Sequence, residues 1–126
     1  KLKFPKEKQM ENHLAKDLSP LEKFGYNLEL YRKGKQFNCK NGVGKIDFLC
    51  RDTVKNCFVV IELKREEADA NAFGQISSYI GWVKENLAKG NEVLGIVISS
   101  GTDKKFHYAI KTNDKIEQIN YKDLKL

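Results

Sequence analysis

The sequence predicts an α/β domain in which a mixed central β-sheet is flanked by helices. One observation behind this prediction is the order of hydrophobic patterns along the chain, which runs helix, three strands, helix and further strands. Another is an apolar run at 58–61, which is typical of a strand covered on both faces. A chain of 126 residues is long enough for one domain and too short for two ordinary ones, so we expect a single domain spanning 1–126.

The first predicted element is a helix over about residues 6–18. Met10, Leu14 and Leu18 recur every four residues, which places them on one face of a helix. Pro20 follows shortly after the last of them, at a position typical of a helix end. The sequence therefore predicts an amphipathic helix in front of the strands.

Three strands are predicted between residues 26 and 64. Apolar and polar residues alternate within 26–37, as they do in a strand with one buried face. The Asn41-Gly42 pair favours a turn, and apolar segments follow at 45–50 and 58–64 with a polar connection between them. Because its first residues are largely β-branched and apolar on both faces, we expect the 58–64 strand to lie in the centre of the sheet.

The second half of the chain begins with a long amphipathic helix over about 68–87. Gly90 follows at a position that commonly ends a helix. A buried strand is predicted at 93–99, and shorter strands near an edge of the sheet are predicted at 106–111 and 116–121. The apolar positions of the helix are spaced by three or four residues and are Phe73, Ile76, Ile80, Val83 and Leu87.

Composition narrows the functional classes. Lys and Arg number 23 against 17 Asp and Glu, and the resulting net charge of +6 favours polyanionic partners such as nucleic acids. No apolar run approaches the roughly 18 residues that cross a bilayer, and no signal-peptide pattern is present, so we expect a soluble cytoplasmic protein with no membrane partner. The three cysteines lack the spacings of a disulfide framework or a zinc site, so we expect reduced thiols.

The candidate chemistry begins where charged residues interrupt the 58–64 strand. Glu62 and Lys64 are two residues apart, so their side chains project from the same face of a strand. An ionised carboxylate among apolar residues is costly without a partner, so Glu62 needs a metal, a cation or water. A simple ion pair with Lys64 is the alternative, since an E-x-K tripeptide is weak evidence by itself.

Asp47 strengthens the case for a metal site, because it interrupts the preceding apolar strand. A hairpin or short crossover would bring it alongside Glu62, and two neighbouring carboxylates prefer to share a cation. Oxygen ligands in an incomplete shell suit Mg²⁺ or Mn²⁺. Such an ion would polarise a phosphate and activate a bound water while Lys64 orients that water. The three residues therefore predict hydrolysis of a phosphodiester.

Three segments together resemble the PD-(D/E)xK nuclease superfamily. They are V-G-K-I-D-F-L-C-R-D at 43–52, V-V-I-E-L-K-R at 59–65, and G-Q-I at 74–76 followed by Tyr79, Trp82 and Val83. Within this superfamily the chain looks most like the C-terminal nuclease domain of NucS-type endonucleases, a group that cuts mismatched, branched or single-stranded DNA. The resemblance covers about residues 7–100 and implies a restriction-endonuclease-like core. Isoleucine stands where the superfamily's name has proline, as is common in this branch.

The resemblance also implies roles for individual residues. Asp47 and Glu62 match the metal ligands, and Lys64 matches the catalytic lysine. Gln75 matches a helix glutamine that lies beside the active site, and Tyr79 lies one turn further along the same face. For the last two residues the alternative is that they only border the buried stripe of their helix.

A third metal ligand is implied on the first helix. Glu11 matches the position of an acidic residue that completes the metal shell in many relatives. Glu7, Glu22 and Glu29 compete for this role, and an acidic residue on an exposed helix is commonly only solvated.

These observations lead to one main functional hypothesis. We expect an endonuclease that hydrolyses phosphodiester bonds of DNA with Mg²⁺ or Mn²⁺, in DNA repair or defence. Since the chain begins with Lys1 and not with methionine, we expect it to be excised from a longer protein. Further domains of that protein would take part in target recognition. The resemblance also implies a homodimer. The alternative is a catalytically silent module that has a nuclease-like fold and binds nucleic acid without cutting it.

Overall fold

A five-stranded mixed sheet forms the centre of the computed structural model, which describes residues 7–126. The order of the strands in the sheet is their order in the chain. The first three strands pair antiparallel, and the last two continue the sheet in parallel. They are β1 (Leu28–Cys39), β2 (Gly44–Asp52), β3 (Cys57–Leu63), β4 (Val93–Ser99) and β5 (Ile116–Asn120). The predicted mixed sheet is confirmed, and β3 takes the central position expected for the 58–64 strand.

Three α-helices accompany the sheet within the described residues, and they are α1 (Glu7–Lys16), α2 (Ala70–Asn86) and α3 (Lys104–Ala109). The helices predicted at 6–18 and 68–87 are confirmed as α1 and α2 with slightly shifted ends, and residue 6 lies outside the described residues. No helix in the range 7–126 is long and apolar enough to cross a membrane. Short 3-10 helices occupy Ser19–Phe24, Ile110–Thr112 and Tyr121–Leu124.

Two hydrophobic clusters hold β3 from both sides, because successive side chains of a strand point to opposite faces. Val60 belongs to the cluster that contains Ile76 of α2, and Ile61 belongs to the cluster that contains Met10 of α1. Each such buried side chain stabilises the fold by roughly 1.5–3 kcal/mol. A charged residue at the end of this strand is therefore fixed in position by the core.

Helix α2 lies close against the sheet. The side chain of Asp69 caps its first turn by accepting a hydrogen bond from the N–H of Ala72 at 2.9 Å. A Cβ atom at Gly95 of β4 would lie 2.7 Å from Cδ1 of Ile80, so the lack of a side chain there permits the close approach. The helix packs against β3 and β4 and can present residues to the end of β3.

The prediction of a strand at 106–111 is wrong, because residues 104–109 form the helix α3. Apolar residues alternate there as in a strand, but the side chain of Asp103 caps a helix by accepting a hydrogen bond from the N–H of Phe106 at 2.8 Å. The parallel strands β4 and β5 cannot be joined by a hairpin and need a crossover, which α3 provides. The strand predicted at 116–121 is confirmed as β5.

Strand β1 is an edge strand with an irregular register. Its pairing with β2 shifts between Leu30 and Lys35, and Arg32 and Gln36 adopt positive φ angles of 52° and 53°. Such irregularities turn side chains away from the directions that a regular strand would give them. The strand predicted at 26–37 is confirmed, with both ends two residues later in the chain.

Candidate active site

Asp47 and Glu62 lie side by side on β2 and β3. Phe48 faces Ile61 across this antiparallel pair, so the preceding residue of β2 lies opposite the following residue of β3. Oδ2 of Asp47 accepts a hydrogen bond from the backbone N–H of Leu63 at 2.8 Å, and a further hydrogen bond joins the two carboxyl side chains. The structure thus brings together the two acidic residues that the sequence predicts to converge.

Glu62 is a carboxyl group held in an unfavourable environment for its charge. The residue is 6% exposed, and burial together with the negative charge of Asp47 raises its pKa from 4.5 to about 9. Burial also raises the pKa of Asp47, although hydrogen bonds from Leu63 and Gln36 oppose the rise. The hydrogen bond with Asp47 also favours the protonated form of Glu62.

One oxygen atom of this pair has no hydrogen-bond partner. Oε1 of Glu62 is buried, and no group within residues 7–126 donates a hydrogen bond to it. Buried polar atoms are nearly always satisfied, so an orphaned carboxylate oxygen indicates a place for a ligand that the chain does not supply. A hard divalent cation fits this requirement, because Mg²⁺ and Mn²⁺ bind carboxylate oxygens.

Lys64 follows directly after β3 and continues its path. Its backbone N–H donates to the carbonyl oxygen of Ile98 at 2.8 Å, which extends the pairing with β4 by one residue. The positive charge of Lys64 acts to lower the pKa of Glu62, against the larger effects of burial and of Asp47. No ion pair joins the two side chains in the described part of the chain, and Lys64 is half-buried.

Glu11 is buried on the side of α1 that faces the carboxyl pair. The residue is 4% exposed, and its Oε1 lies 3.3 Å from Nζ of Lys8. Its Oε2 accepts a hydrogen bond from Nε2 of Gln36. The same amide nitrogen donates to Oδ1 of Asp47 at 3.0 Å. Glu11 is therefore connected to the predicted centre through one side chain.

The other acidic residues considered for this role lie in different settings. Glu7 is exposed near the centre, where its Oε2 accepts a hydrogen bond from the backbone N–H of Arg65 at 3.1 Å. Glu22 and Glu29 are exposed on the 3-10 helix after α1 and on β1. Of the four candidates, Glu11 is the one that a single side chain, Gln36, connects to Asp47.

Gln36 is a member of this cluster that the sequence does not predict. It lies on β1 between Lys35, which faces Phe48, and Phe37, which faces Ile46, and is therefore level with Asp47. Its side chain reaches the cluster from an irregular strand, with a positive φ angle of 53°. No motif accompanies Gln36, and pairing across a shifted register cannot be recognised from local sequence.

Gln75 and Tyr79 approach the carboxyl pair from α2. Nε2 of Gln75, which is exposed, donates to the hydroxyl oxygen of the buried Tyr79 at 3.1 Å. Burial raises the pKa of Tyr79, and the negative charges of Glu62 and Asp47 contribute to the rise. A Cβ atom at Gly44, where φ is +122°, would lie 2.8 Å from the tyrosine hydroxyl. Glycine at that position makes room for the ring.

A cavity of about 380 Å³ opens beside the cluster. Among residues 7–126, no three or more histidine, cysteine, aspartate or glutamate side chains gather as a preformed metal centre. The Gln36 amide lies between two of the carboxylates instead. A larger cavity of about 780 Å³ is at the opposite end of β3, near Arg51 and Phe58, and it contains none of the predicted site residues. The smaller cavity is lined by Glu7, Lys8, Glu11, Gln36, Asp47 and Leu63.

The cysteines are unsuited to nucleophilic chemistry. Cys39, Cys50 and Cys57 are free thiols, and the first two are buried. Burial raises the pKa of Cys39 to about 11 and that of Cys50 to about 12, so both remain thiols at neutral pH. The carboxyl cluster is thus better suited to hydrolytic chemistry than the cysteines are.

The mixed sheet, with an aspartate on one strand beside an E-x-K sequence at the end of the next, defines the fold of a PD-(D/E)xK nuclease. A family model described as the YhcG PDDEXK nuclease domain matches residues 3–125. The chain belongs to this family. Comparison of the sequence with curated proteins gave no match.

Solved structures of repair endonucleases share the fold. A crystal structure of a repair endonuclease from Pyrococcus abyssi has a TM-score of 0.74 and 21% identity over 95% of this chain and 48% of that chain. The structure of an EndoMS complex with dsDNA has a TM-score of 0.70 and 22% identity, and covers 95% of this chain and 47% of that one. The structure of EndoMS in apo form has a TM-score of 0.69 and 21% identity, and covers 95% of this chain and 48% of that one.

These similarities confirm the predicted superfamily and the likeness to NucS-type endonucleases. Because the identities are below 25%, they concern the fold. The chain spans about half the length of each of these structures.

Proposed function

We propose that this domain is a metal-dependent endodeoxyribonuclease in which Asp47 and Glu62 bind Mg²⁺ or Mn²⁺ and Lys64 assists the attacking water. The observation that carries this proposal is the buried carboxyl pair at the end of β3, where Oε1 of Glu62 has no hydrogen-bond partner in the described residues. An E-x-K that served only as an ion pair would place the ammonium on the carboxylate. Instead, no ion pair joins Lys64 to Glu62 within residues 7–126.

The oxygen atoms of Asp47, Glu62 and Glu11 would hold the cation. When bound, it supplies a Lewis acid that polarises the scissile phosphate and lowers the pKa of a bound water. Lys64 would orient that water and offset the negative charge that develops on the phosphate. Gln75, which bonds to Tyr79, would position the substrate from the side of α2.

DNA as the substrate is supported by charge and by a relative. The net charge of +6 favours a polyanion, and Lys8, Lys64 and Arg65 lie around the cluster with partly or fully exposed side chains. The EndoMS structure that shares the fold is a complex with dsDNA. We propose DNA as the partner of the present chain as well.

The wider setting is proposed on the same basis. Residues 1–126 would form one nuclease domain of a longer cytoplasmic protein, since the chain spans about half of the similar structures. Further domains and a homodimer would supply target recognition, in DNA repair or in defence.

Cleavage assays on matched variants test the proposal. Wild type, Asp47→Ala, Lys64→Ala and the control Lys84→Ala would be stripped of metal and given single-stranded, duplex, mismatched and branched DNA, and RNA, with Mg²⁺ or Mn²⁺. Lys84 is an exposed lysine on α2, nine residues beyond Gln75. We expect the first two substitutions to lower the cleavage rate at least about 100-fold and the control to leave it unchanged. Full activity in Lys64→Ala would refute the assignment.

The alternative of a silent binding module predicts a different result in the same assay. Such a module would retain DNA in the presence of a chelator and would not cut it when metal is restored. A chain that neither cuts nor binds nucleic acid would contradict both functions. The intact set of Asp47, Glu62 and Lys64 favours the nuclease.

A further inference from the structure

Gln36 occupies the space between two carboxylates that come from different elements. One nitrogen, Nε2, donates both to Oε2 of Glu11 on α1 and to Oδ1 of Asp47 on β2. An amide NH₂ group has two N–H bonds, so both are used on carboxylates. The carbonyl oxygen, Oε1, takes part in neither of these hydrogen bonds.

The amide plays the part that a cation would play between these acidic groups. Two nearby carboxylates repel each other unless a positive group lies between them. Glu11 is 4% exposed, so solvent does little to screen it, and Lys8 contacts only its other oxygen. The partial positive charge of the Gln36 amide hydrogens therefore reduces the repulsion between Glu11 and Asp47 and links α1 to β2 at this point.

The backbone of Gln36 is adapted to this position. Its φ angle of 53° lies in the left-handed region, which residues other than glycine adopt rarely and mostly where the surroundings impose it. Gln36 follows the register shift between Leu30 and Lys35 and is level with Asp47 on β2. Residues that face each other across an antiparallel pair project from the same face, and the Gln36 amide accordingly contacts Asp47 at 3.0 Å.

We propose that Gln36 belongs to the cation site: its amide nitrogen keeps Glu11 beside Asp47 in the metal-free protein, and its carbonyl oxygen turns to the cation as a neutral ligand. This inference rests on the proposed metal-dependent function. Rotation about the last side-chain torsion, which has a broad energy profile, exchanges the two amide atoms. Amide carbonyl oxygens are ordinary ligands of hard cations. A neutral ligand also adds no charge to a site that already holds Asp47, Glu62 and Glu11.

Direct measurement of Mn²⁺ binding tests the inference without reference to cleavage. Calorimetry, or the loss of the free Mn²⁺ signal in electron paramagnetic resonance, would give dissociation constants for wild type, Gln36→Leu, Gln36→Glu and Gln36→Asn. Asp47→Asn verifies that the ion measured is the one at this site, and Gln9→Leu, which removes an exposed glutamine from α1, is the matched control.

We expect Gln36→Leu to weaken Mn²⁺ binding about 10–100-fold, as removal of a supporting group commonly does. Gln36→Glu, which keeps an oxygen at the same reach, should bind at least as tightly as wild type. Gln36→Asn suits a positive φ angle and preserves the fold, but it is one methylene too short to bridge both carboxylates and should also weaken binding. This shorter amide keeps the test valid if the leucine variant fails to fold.

Three outcomes would overturn the inference. Mn²⁺ affinity that is unchanged in both Gln36→Leu and Gln36→Asn would make the residue a structural link, and tighter binding would make it a competitor of the metal. If the wild type shows no Mn²⁺ binding, or only binding that Asp47→Asn leaves unchanged, the metal-dependent function is overturned. This inference is then overturned with it. Normal wild-type binding that the Gln36 variants leave intact would overturn this inference alone.

Discussion

Replacing Glu62 by glutamine should stabilise the metal-free protein at neutral pH. The wild-type side chain is buried beside Asp47 with a pKa of about 9, so the folded protein keeps a proton on Glu62 that the unfolded chain releases above its ordinary value of 4.5. Glutamine has nearly the same shape, and its amide can donate to Asp47 as the protonated carboxyl group does. It carries no charge at any pH, so the variant removes the cost of burying a group that would otherwise ionise.

The magnitude follows from the difference between the two pKa values. Because the folded-state pKa is raised, the stability that this proton confers is complete below pH 4.5 and is lost as the pH rises towards 9. Each pH unit in that window corresponds to about 1.36 kcal/mol, so at pH 7 the loss is about 3 kcal/mol. At pH 5 it is less than about 1 kcal/mol. In a domain of this size, about 3 kcal/mol corresponds to roughly 10 °C in Tm.

Urea unfolding in the presence of a chelator would measure this effect at pH 5 and pH 7. We expect Glu62→Gln to exceed wild type by about 3 kcal/mol at pH 7 and to approach it at pH 5. Glu85→Gln, which removes the same charge from an exposed position on α2, is the control and should differ little from wild type at either pH. Equal stability of Glu62→Gln and wild type at pH 7, or a difference that does not change with pH, would refute the reasoning.

Two further predictions concern residues that support the site and the sheet. Gly44→Ala should lower the free energy of unfolding by about 1–3 kcal/mol, since φ is +122° and the new Cβ would lie 2.8 Å from the hydroxyl of Tyr79. Urea unfolding would measure the loss. The double variant with Gly44→Ala and Tyr79→Phe should recover part of it if the contact with the tyrosine hydroxyl contributes. Asp52→Ala should cost about 3 kcal/mol, because the buried carboxylate accepts hydrogen bonds from three backbone N–H groups. Its Mn²⁺ affinity should match wild type, and a weakened affinity would show that the effect spreads to the site.

The elements that could be predicted from the sequence are those whose pattern is local. The hydrophobic patterns of helix α2 and of strands β3 and β4 are long enough to distinguish a helix from a strand. The segment around Phe106 is short, and its alternation of apolar and polar residues suits either kind. The decisive fact is that β4 and β5 are parallel, which demands a crossover between them, and pairing between distant strands leaves no mark in a local window.

Prediction of the site depends in the same way on where its residues come from. Asp47 and Glu62 can be found because charge interrupts two apolar strands, and burial of a charge without a purpose is costly. Glu11 can be proposed only through resemblance to a family, since a glutamate on a helix is ordinary. Gln36 depends on the irregular register and the positive φ angle of β1, which are properties of the folded backbone.

At the proposed metal site, a cation and a proton would compete for Asp47 and Glu62. Burial favours the protonated form of Glu62, and a divalent ion would have to displace that proton before the carboxylate could bind it. A bound cation would also remove the repulsion between the charges of Glu62 and Asp47 that opposes their proximity in the metal-free protein. Gln36 and Lys8 reduce the same repulsion at Glu11 by hydrogen bonding and by charge. On the proposed function, the protein would therefore fold without metal and bind it with carboxylates that are already in place.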